Sequence, residues 1–444
     1  MTDADELRLN HPLGMNSLPS NVERRPVPSS KVQFFAEAVL GDLHRTIVPV
    51  LVIGTAGALM GFAYLTALRG LQHVLGPEHS GPWLHLGILA AVGLVIGLIK
   101  RFYSNPGEME LLVDNIHVMG GHDDLRGSLR SLVPVSLLCI AAGGAAGPEA
   151  PLVQTTGTLG TWVAKRWGFS VENTRVLTIT GMAAGFTVLF GAPLGAAIFA
   201  LEILHRQGLE YYEALLPAIL GSLCGYGVFV VATGLGLAPV WVFPSAQPLH
   251  GVDISWALAT GVVGAVVAVI FTYLTLGLRN LFEKIPMVVR STVGGIILGL
   301  LALLSPFALK FGEVQLDQLL TAHPVATFFI IATLAKMIGA SVTASSGWRG
   351  GFIIPLFFIG AALGRLWHLV LPSTNEVMLM AALMVAINTG VTKTPLGSTL
   401  VVTEMAGLPL LPTTLIAAIV SLLLTSQVGL IHSQRRRSAF SKPG

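Results

Sequence analysis

The residues best suited to bind a ligand form a short run of glycine, alanine and proline around one carboxylate. In order they are Gly143, Gly144, Ala145, Ala146, Gly147, Pro148, Glu149, Ala150 and Pro151. Glycine leaves backbone N–H groups uncovered, and proline suits the first turn of a helix. A helix N-terminus with uncovered amides attracts anions. The run therefore predicts an anion-binding helix N-terminus. It does not match a Walker-type phosphate loop, because no Gly-Lys-Ser/Thr follows.

Glu149 has two interpretations. In the first turn of a helix its carboxylate would simply complement the helix dipole. Alternatively, the carboxylate would compete with an anion for the same amides, which makes Glu149 a candidate gate. The residues alone leave both interpretations open.

A second run of the same kind lies about two hundred residues later. It comprises Ser345, Ser346, Gly347, Trp348, Arg349, Gly350, Gly351, Phe352, Ile353, Ile354 and Pro355. Two glycines precede an apolar helix start, so the amides near Phe352 and Ile353 are also candidate anion donors.

The composition of the chain defines the elements that must position these runs. Of 444 residues, 53% are hydrophobic and 11% are charged, whereas soluble domains carry about 25% charged residues. A soluble enzyme, a nucleic-acid-binding protein and a disordered scaffold are therefore improbable. Long, unbroken apolar runs without ten-residue alternation predict an all-α polytopic membrane protein rather than a β-barrel. Gly and Pro interrupt these runs, which is typical of broken helices lining a path through a transporter or channel.

Several ionisable residues lie within or beside the apolar runs. Glu202 and Glu404 are either proton or ion groups or structural hydrogen-bond acceptors at helix ends. Arg349 either belongs to a functional site or extends to an interface or a carboxylate. Lys336 and Lys393 are interpreted as helix-end or pore-mouth charges.

An internal repeat is visible around these carboxylates. Pro193 begins a Pro-Leu-Gly segment that leads to Glu202, and Pro395 begins one that leads to Glu404. Both pairs are shifted by 202 residues, which makes a chance match less probable. Interrupted segments at corresponding places in two halves indicate a binding site near the membrane midplane. The sequence does not show whether the halves are inverted.

The repeat and the charges define a predicted organisation. It comprises a cytoplasmic tail (1–46), a first transmembrane repeat (47–238), a linker (239–253), a second repeat (254–432) and a basic cytoplasmic tail (433–444). Basic residues near both ends predict cytoplasmic termini and an even number of crossings. Residues 1–30 are polar and do not form a cleavable signal.

No cofactor or metal site is expected. His122, Asp123 and Asp124 are adjacent in one polar loop, and adjacent residues rarely converge on one ion. Cys139 and Cys224 lie in apolar runs and behave as small hydrophobic residues. No catalytic cluster is apparent, so an enzyme is not expected.

Taken together, these segments resemble the CLC chloride channel and transporter family. Gly144 to Pro148 is similar to the family's Gly-Lys/Arg-Glu-Gly-Pro segment, and Gly350 to Pro355 to its Gly-x-Phe-x-Pro segment. Residues 181–202 resemble the intervening helix pair, and the match covers roughly residues 40–432. The resemblance implies a homodimer with two independent pores, two inverted repeats of short tilted helices, and chloride held by helix N-termini.

The departures from the family bear on mechanism. The family's gating glutamate aligns with Ala146, and Glu149 lies three residues downstream. Its inner proton-relay glutamate aligns with Ile203. Its pore serine aligns with Gly120, next to Gly121. No tyrosine occurs after Tyr273, so the pore tyrosine is absent, and His432 or Ser433 falls near its place.

These observations predict transport of chloride or a similar small anion across a cell membrane, passive or weakly proton-coupled. The alternative is a proton-coupled antiporter with Glu149 as the gate. A secondary transporter for another anionic substrate is the minor alternative. The expected partners are the anion, the lipid bilayer and a second copy of the chain; nucleic acid is excluded.

Overall fold

The computed structural model describes most of the chain. The described residues are 31–103, 113–117, 120–121, 128–206, 209–234, 243–244, 246–321, 325–431 and 433–434, with only the backbone described for 31–45, 79, 128, 317, 320 and 321. Two compact units are distinguished, residues 1–44 and residues 45–444. The site described below belongs to the second unit.

The described chain is built from helices. In chain order they are α1 (Lys31–Leu75), α2 (Pro82–Phe102), α3 (Ser128–Ala141), α4 (Glu149–Arg166), α5 (Val171–Phe190), α6 (Pro193–Glu202), α7 (Leu215–Thr233), α8 (Gly251–Phe282), α9 (Met287–Leu304), α10 (Glu313–Thr321), α11 (Ala326–Ser345), α12 (Ile353–Val370), α13 (Glu376–Thr392), α14 (Pro395–Ala406) and α15 (Leu411–Thr425). A further helical segment covers residues 113–117. The all-α prediction is confirmed.

Eight helices among the described residues are long and apolar enough to cross a membrane. They are Thr46–Leu75, Pro82–Phe102, Tyr212–Thr233, Gly251–Phe282, Met287–Leu304, Ala326–Ser345, Ile353–Val370 and Leu408–Thr425. Others are too short: ten-residue α6 extends only about 15 Å, against a hydrocarbon core of about 30 Å. Partial helices of this kind were predicted from the Gly and Pro interruptions.

The two halves repeat the same order of helices. α4, α5 and α6 correspond to α12, α13 and α14, and Pro193 and Pro395 each occupy the start of the third helix. The second helix is capped in both halves: Ser170 Oγ accepts from the N–H of Asn173, and Asn375 Oδ1 accepts from that of Met378. The matching caps extend the repeat beyond the motif seen in the sequence.

The contact between α6 and α14 shows how the two copies are oriented. Glu202, the last residue of α6, accepts from the N–H of Gly397 in the first turn of α14 at 2.6 Å. Reciprocally, Glu404 near the end of α14 accepts from the N–H of Gly195 in the first turn of α6 at 3.0 Å. The end of each helix meets the start of the other, so equivalent helices run antiparallel. This is the inverted arrangement that the family resemblance implied.

Close helix contacts behind the site depend on glycine. A side chain at Gly160 in α4 would collide with the carbonyl of Leu177 in α5, and one at Gly360 in α12 would collide with the backbone of Met384 in α13. Small residues let membrane helices approach closely. The same device therefore fixes the first two helices of each repeat against each other.

Two boundaries differ from the prediction. α8 begins at Gly251, inside the predicted linker, because the side chain of Asp253 accepts from the N–H of His250 and closes the first turn early. Ser433 and Gln434, assigned to the tail, are buried. Gln434 Nε2 donates to the carbonyls of Ile203 and Thr392 at 3.0 and 2.6 Å. The division into two repeats as domains stays a prediction.

Candidate anion-binding site

The two glycine-rich runs meet at a buried place within the second unit. Gly147 and Gly351 form an antiparallel bridge, in which each N–H donates to the other's carbonyl at 2.7 and 2.6 Å. The bridge holds the start of α4 beside the start of α12. The sequence predicted both helix N-termini but had no means of showing that they lie side by side.

Part of the predicted donor set is engaged by the protein itself. The N–H of Gly144 donates to the carbonyl of Cys139, that of Ala145 to Thr343 Oγ1, and that of Ala146 to the carbonyl of Gly144. Together with Gly147, these residues shape the loop and are not open anion donors. The amides of Ile353 and Ile354, in the first turn of α12, have no acceptor within the helix, and that of Ile354 donates to a side chain of the other run.

Glu149 reaches that first turn from α4. Its side chain is buried, with 1% of its surface exposed. Carboxylate oxygen Oε1 accepts from the N–H of Ile354 at 2.6 Å, and Oε2 has no hydrogen-bond partner. A carboxylate therefore occupies the N-terminus of α12. The carboxylate thus accepts from the helix start of the opposite repeat, and both interpretations of Glu149 stay predictions.

The flanking glycines create the space for this carboxylate. A Cβ atom at Gly147 or Gly351 would overlap the Glu149 side chain. Neither glycine has the positive φ that would require glycine for backbone reasons. Glycine is needed at both positions because a larger residue would overlap the Glu149 side chain between them. At Gly350 a Cβ would instead approach the Ala146 side chain at 2.6 Å.

A cavity of about 100 Å³ adjoins Glu149, enough for several water molecules or a partly hydrated anion. Its wall is largely apolar, and its charged and polar side chains are those of Glu149, Gln154, Arg279 and Arg349. The remaining lining residues are Leu132, Ala150, Pro151, Phe186, Ile203, Ala344, Gly350, Gly351, Phe352, Ile353, Leu430 and Ile431. Arg349 thus lines this cavity, and Pro148 is the cap residue of α4.

Gly120 and Gly121 lie elsewhere. A side chain at Gly120 would meet the backbone of Val171, and one at Gly121 would meet the hydroxyls of Thr161 and Thr178. Thr161 is twelve residues beyond Glu149 in α4, which corresponds to roughly 18 Å along the helix. The structure does not bring these glycines to the bridge. His122, Asp123, Asp124 and His432 fall outside the described residues.

The carboxylates of Glu202 and Glu404 and the two lysines have structural contacts. Glu202 and Glu404 accept from helix N-termini, which is the structural interpretation left open above. Lys336 is not at a helix end: it is buried within α11 and donates to the carbonyls of Leu309 and Lys310 at 2.7 and 2.6 Å. Lys393 ends α13 and donates to Thr425.

The loop reached by Lys336 also contacts the first glycine-rich run. The N–H of Lys310 donates to the carbonyl of Gly143 at 2.8 Å, so Lys336, Lys310 and Gly143 form a continuous chain of contacts. Lys310 also pairs with Glu78. Burial lowers the Lys310 pKa, and the neighbouring Glu313 partly offsets this. Sequence reasoning missed this chain, because Lys336 and Gly143 are distant in sequence.

No group of three or more His, Cys, Asp or Glu side chains that could hold a metal ion occurs within the described part of the chain. Cys139 and Cys224 are free thiols.

These features define a class: a polytopic helical membrane protein with inverted repeats, whose helix N-termini meet around a buried site suited to an anion. The sequence profile of the voltage gated chloride channel family matches residues 93–426. The chain belongs to this family, and the protein transports small inorganic anions across a membrane.

Similar proteins agree with this assignment. A chloride/fluoride channel protein of Pseudomonas syringae pv. tomato is 27% identical over 405 residues, covering 86% of this chain and 85% of that protein. A voltage-gated ClC-type chloride channel, ClcB, of Citrobacter koseri is 26% identical, with 86% and 96% covered.

Solved structures show the same fold. A CLC-type fluoride/proton antiporter superposes with a TM-score of 0.78 at 23% identity, over 89% of this chain and 98% of the other. A slow cyanobacterial Cl⁻/H⁺ antiporter gives a TM-score of 0.76 at 18% identity, over 86% and 94%.

Proposed function

We propose that the protein carries chloride or a similar small anion along a path that the Glu149 carboxylate closes. The supporting observation is the hydrogen bond from the Ile354 N–H to Glu149 Oε1 at 2.6 Å. A helix N-terminus favours a bound anion, because its amides are unpaired and its dipole end is positive. An anion in transit therefore replaces the carboxylate, and the carboxylate in turn displaces the anion.

The local geometry provides for this exchange. The Gly147–Gly351 bridge holds the two helix starts rigidly, while the Glu149 side chain can swing about its own bonds. The adjoining cavity, with Arg279 and Arg349 in its wall, offers a place for an arriving anion. Protonation of Glu149 weakens its hydrogen bond with the Ile354 N–H, since a neutral carboxyl is a poorer acceptor than a carboxylate.

Proton-coupled exchange is the second candidate. If the Glu149 carboxylate leaves the Ile354 N–H when it gains a proton, then anion entry at that amide is linked to proton movement. The antiporters with the same fold are described as exchanging Cl⁻ or fluoride for protons. Against strong coupling, the second aligned carboxylate position is Ile203. The passive or weakly coupled mode therefore remains the first candidate.

Flux measurements test the proposal. In liposomes loaded with chloride, Glu149→Gln is expected to raise anion efflux severalfold and to remove its pH dependence, because glutamine cannot hold the amides as a carboxylate does. Glu172→Gln is the matched control, since Glu172 lies in the first turn of α5 but is exposed. Unchanged efflux in Glu149→Gln would remove Glu149 from the path.

Proton measurements in the same liposomes separate the two modes. A chloride gradient that drives protons uphill at fixed stoichiometry would establish exchange and exclude the passive mode. Chloride flux without proton movement would establish the passive mode.

The assembly and location of the protein are also proposed. The family resemblance supports a homodimer in the lipid bilayer of a cell membrane, and the basic residues near both ends support cytoplasmic termini. Single-molecule photobleaching in liposomes counts the subunits, and cysteine labelling from one side locates the termini.

A further inference from the structure

Two cavities lie on either side of one ion pair, and neither shares a lining residue with the Glu149 cavity. The pair joins Glu78, in the turn between α1 and α2, to Lys310, in the loop before α10. The cavities measure about 260 and 360 Å³. Both are lined by Glu78, Lys310, Val314 and Gln315, so the ion pair lies at the boundary between them.

The two cavities lie where candidate membrane spans end. Three such spans end or begin beside them: Thr46–Leu75, Pro82–Phe102 and Met287–Leu304. Arg69 of the first, Pro82 of the second and Ala302 of the third line the cavities. Trp83 is 75% exposed, and tryptophan concentrates where a membrane meets water. We therefore expect the cavities at the level of the lipid head groups.

The charges in the smaller cavity balance each other. Arg69 and Lys310 are basic, Glu78 and Glu313 are acidic, and His73 lies in the same wall. A lone anion that displaced Glu78 from Lys310 would leave the Glu78 carboxylate without its partner, and a lone cation would do the same to Lys310. A zwitterion avoids this cost, because its acid group pairs with Lys310 while its ammonium group pairs with Glu78.

The ion pair can open without disturbing the backbone around it. The side chains of Lys310 and Glu78 are 17% and 51% exposed, and a partly exposed ion pair contributes little net stability. The Lys310 backbone is held independently of its side chain, since Lys336 donates to its carbonyl and its N–H donates to the carbonyl of Gly143. The Lys310 ammonium can therefore change partners while the loop stays in place.

His85 adds a polar atom to the wall of the larger cavity. The residue is buried, and its Nδ1 lies 3.1 Å from Ser80 Oγ. Its Nε2 has no hydrogen-bond partner, and a buried polar atom is costly unless a ligand or water satisfies it. The apolar part of this wall consists of Pro77, Pro82, Ala302, Pro306, Leu309 and Val314. The wall thus suits a polar head group that carries a hydrocarbon portion.

We propose that the two cavities bind the head group of a zwitterionic phospholipid, phosphatidylethanolamine. The lipid phosphate pairs with Lys310 and Arg69, and the primary ammonium group donates to the Glu78 carboxylate. A choline head group cannot donate to Glu78, because its quaternary nitrogen carries no hydrogen, and a glycerol head group has no cation. The site is separate from the Glu149 cavity, and the inference does not rest on the proposed anion path.

Native mass spectrometry of the purified full chain, with an equimolar mixture of dioleoyl phosphatidylethanolamine, phosphatidylcholine and phosphatidylglycerol, tests this. We expect the unaltered protein to retain the ethanolamine lipid about threefold over each of the others. Glu78→Gln is expected to lose this preference, because the ammonium group loses its acceptor. Lys310→Asn is expected to reduce retention of the ethanolamine lipid to that of the choline lipid. Asparagine tolerates the left-handed backbone at this position, where φ is 58°.

Arg166→Gln is the matched control, because Arg166 is an exposed basic residue at the end of α4, and it should keep the preference. Since Glu78 is exposed, Glu78→Gln is expected to fold and carries the test by itself if Lys310→Asn does not fold. Equal retention of the three lipids by the unaltered protein would overturn the inference, and so would a preference that survives in Glu78→Gln. Retention of soluble phosphoethanolamine without any lipid preference would identify a free zwitterion as the ligand instead. A merely structural role of the ion pair would lower the unfolding temperature of the variants without changing the lipid preference.

Discussion

Glu149 combines two properties rarely found in one side chain. It is buried among apolar residues and hydrogen-bonded to an amide of the opposite repeat. Burying a carboxylate is costly unless strong donors meet it, and a helix N-terminus supplies such a donor. An anion that replaces the carboxylate at this amide would therefore bind where negative charge is already stabilised.

Gly147 provides a test at this scale. All three atoms nearest to a Cβ at this position belong to the Glu149 carboxylate. Gly147→Ala is therefore expected to expel the carboxylate and to raise anion flux roughly as Glu149→Gln does. Gly277→Ala is the control, because nothing lies within 4 Å of its Cβ position.

The combination of variants sharpens this test. In a Glu149→Ala background, Gly147→Ala is expected to have little further effect on flux, since the group it displaces is gone. Additive effects of the two substitutions would show that Gly147 acts independently of Glu149, contrary to this account.

At the scale of elements, the two short helices α6 and α14 hold each other through their carboxylates. Glu202 and Glu404 satisfy N–H groups that a helix start leaves unpaired. Their roles are equivalent under the repeat symmetry, so their substitutions should have comparable effects.

Glu202→Gln and Glu404→Gln are each expected to destabilise the protein by about 1–3 kcal/mol, the cost of losing a charged acceptor at a buried amide. Thermal unfolding in detergent measures this. The pH dependence of chloride flux per folded molecule should remain that of the unaltered protein. A loss of that pH dependence with no change in stability would assign these carboxylates to transport instead.

The sequence predicted elements better than their contacts. The Pro and Glu spacing around Glu202 and Glu404 indicated the repeat, because covalent spacing is visible in a sequence. The partner of Glu149 was not visible, since Ile354 lies 205 residues away. Gly120 was assigned to the pore by alignment with a family motif; a side chain there would meet the backbone of Val171, and its place in the pore stays a prediction.

At the scale of the whole molecule, inversion explains why the site is central. Equivalent helices run antiparallel, so the starts of α4 and α12 face each other across the Gly147–Gly351 bridge. Composition and resemblance predicted the membrane class and the family. They did not show which amides remain open, because internal hydrogen bonds such as that from Ala145 to Thr343 form only on folding.

The most direct test of the central claim is the position of bromide, an anomalous scatterer that replaces chloride, in crystals of the unaltered protein and of Glu149→Gln. In Glu149→Gln we expect a bromide peak beside the Ile354 N–H, where the Glu149 carboxylate lies in the unaltered protein. In the unaltered protein we expect the carboxylate itself at that position. Bromide at that amide with Glu149 still bound to it, or no bromide there in Glu149→Gln, would contradict the account.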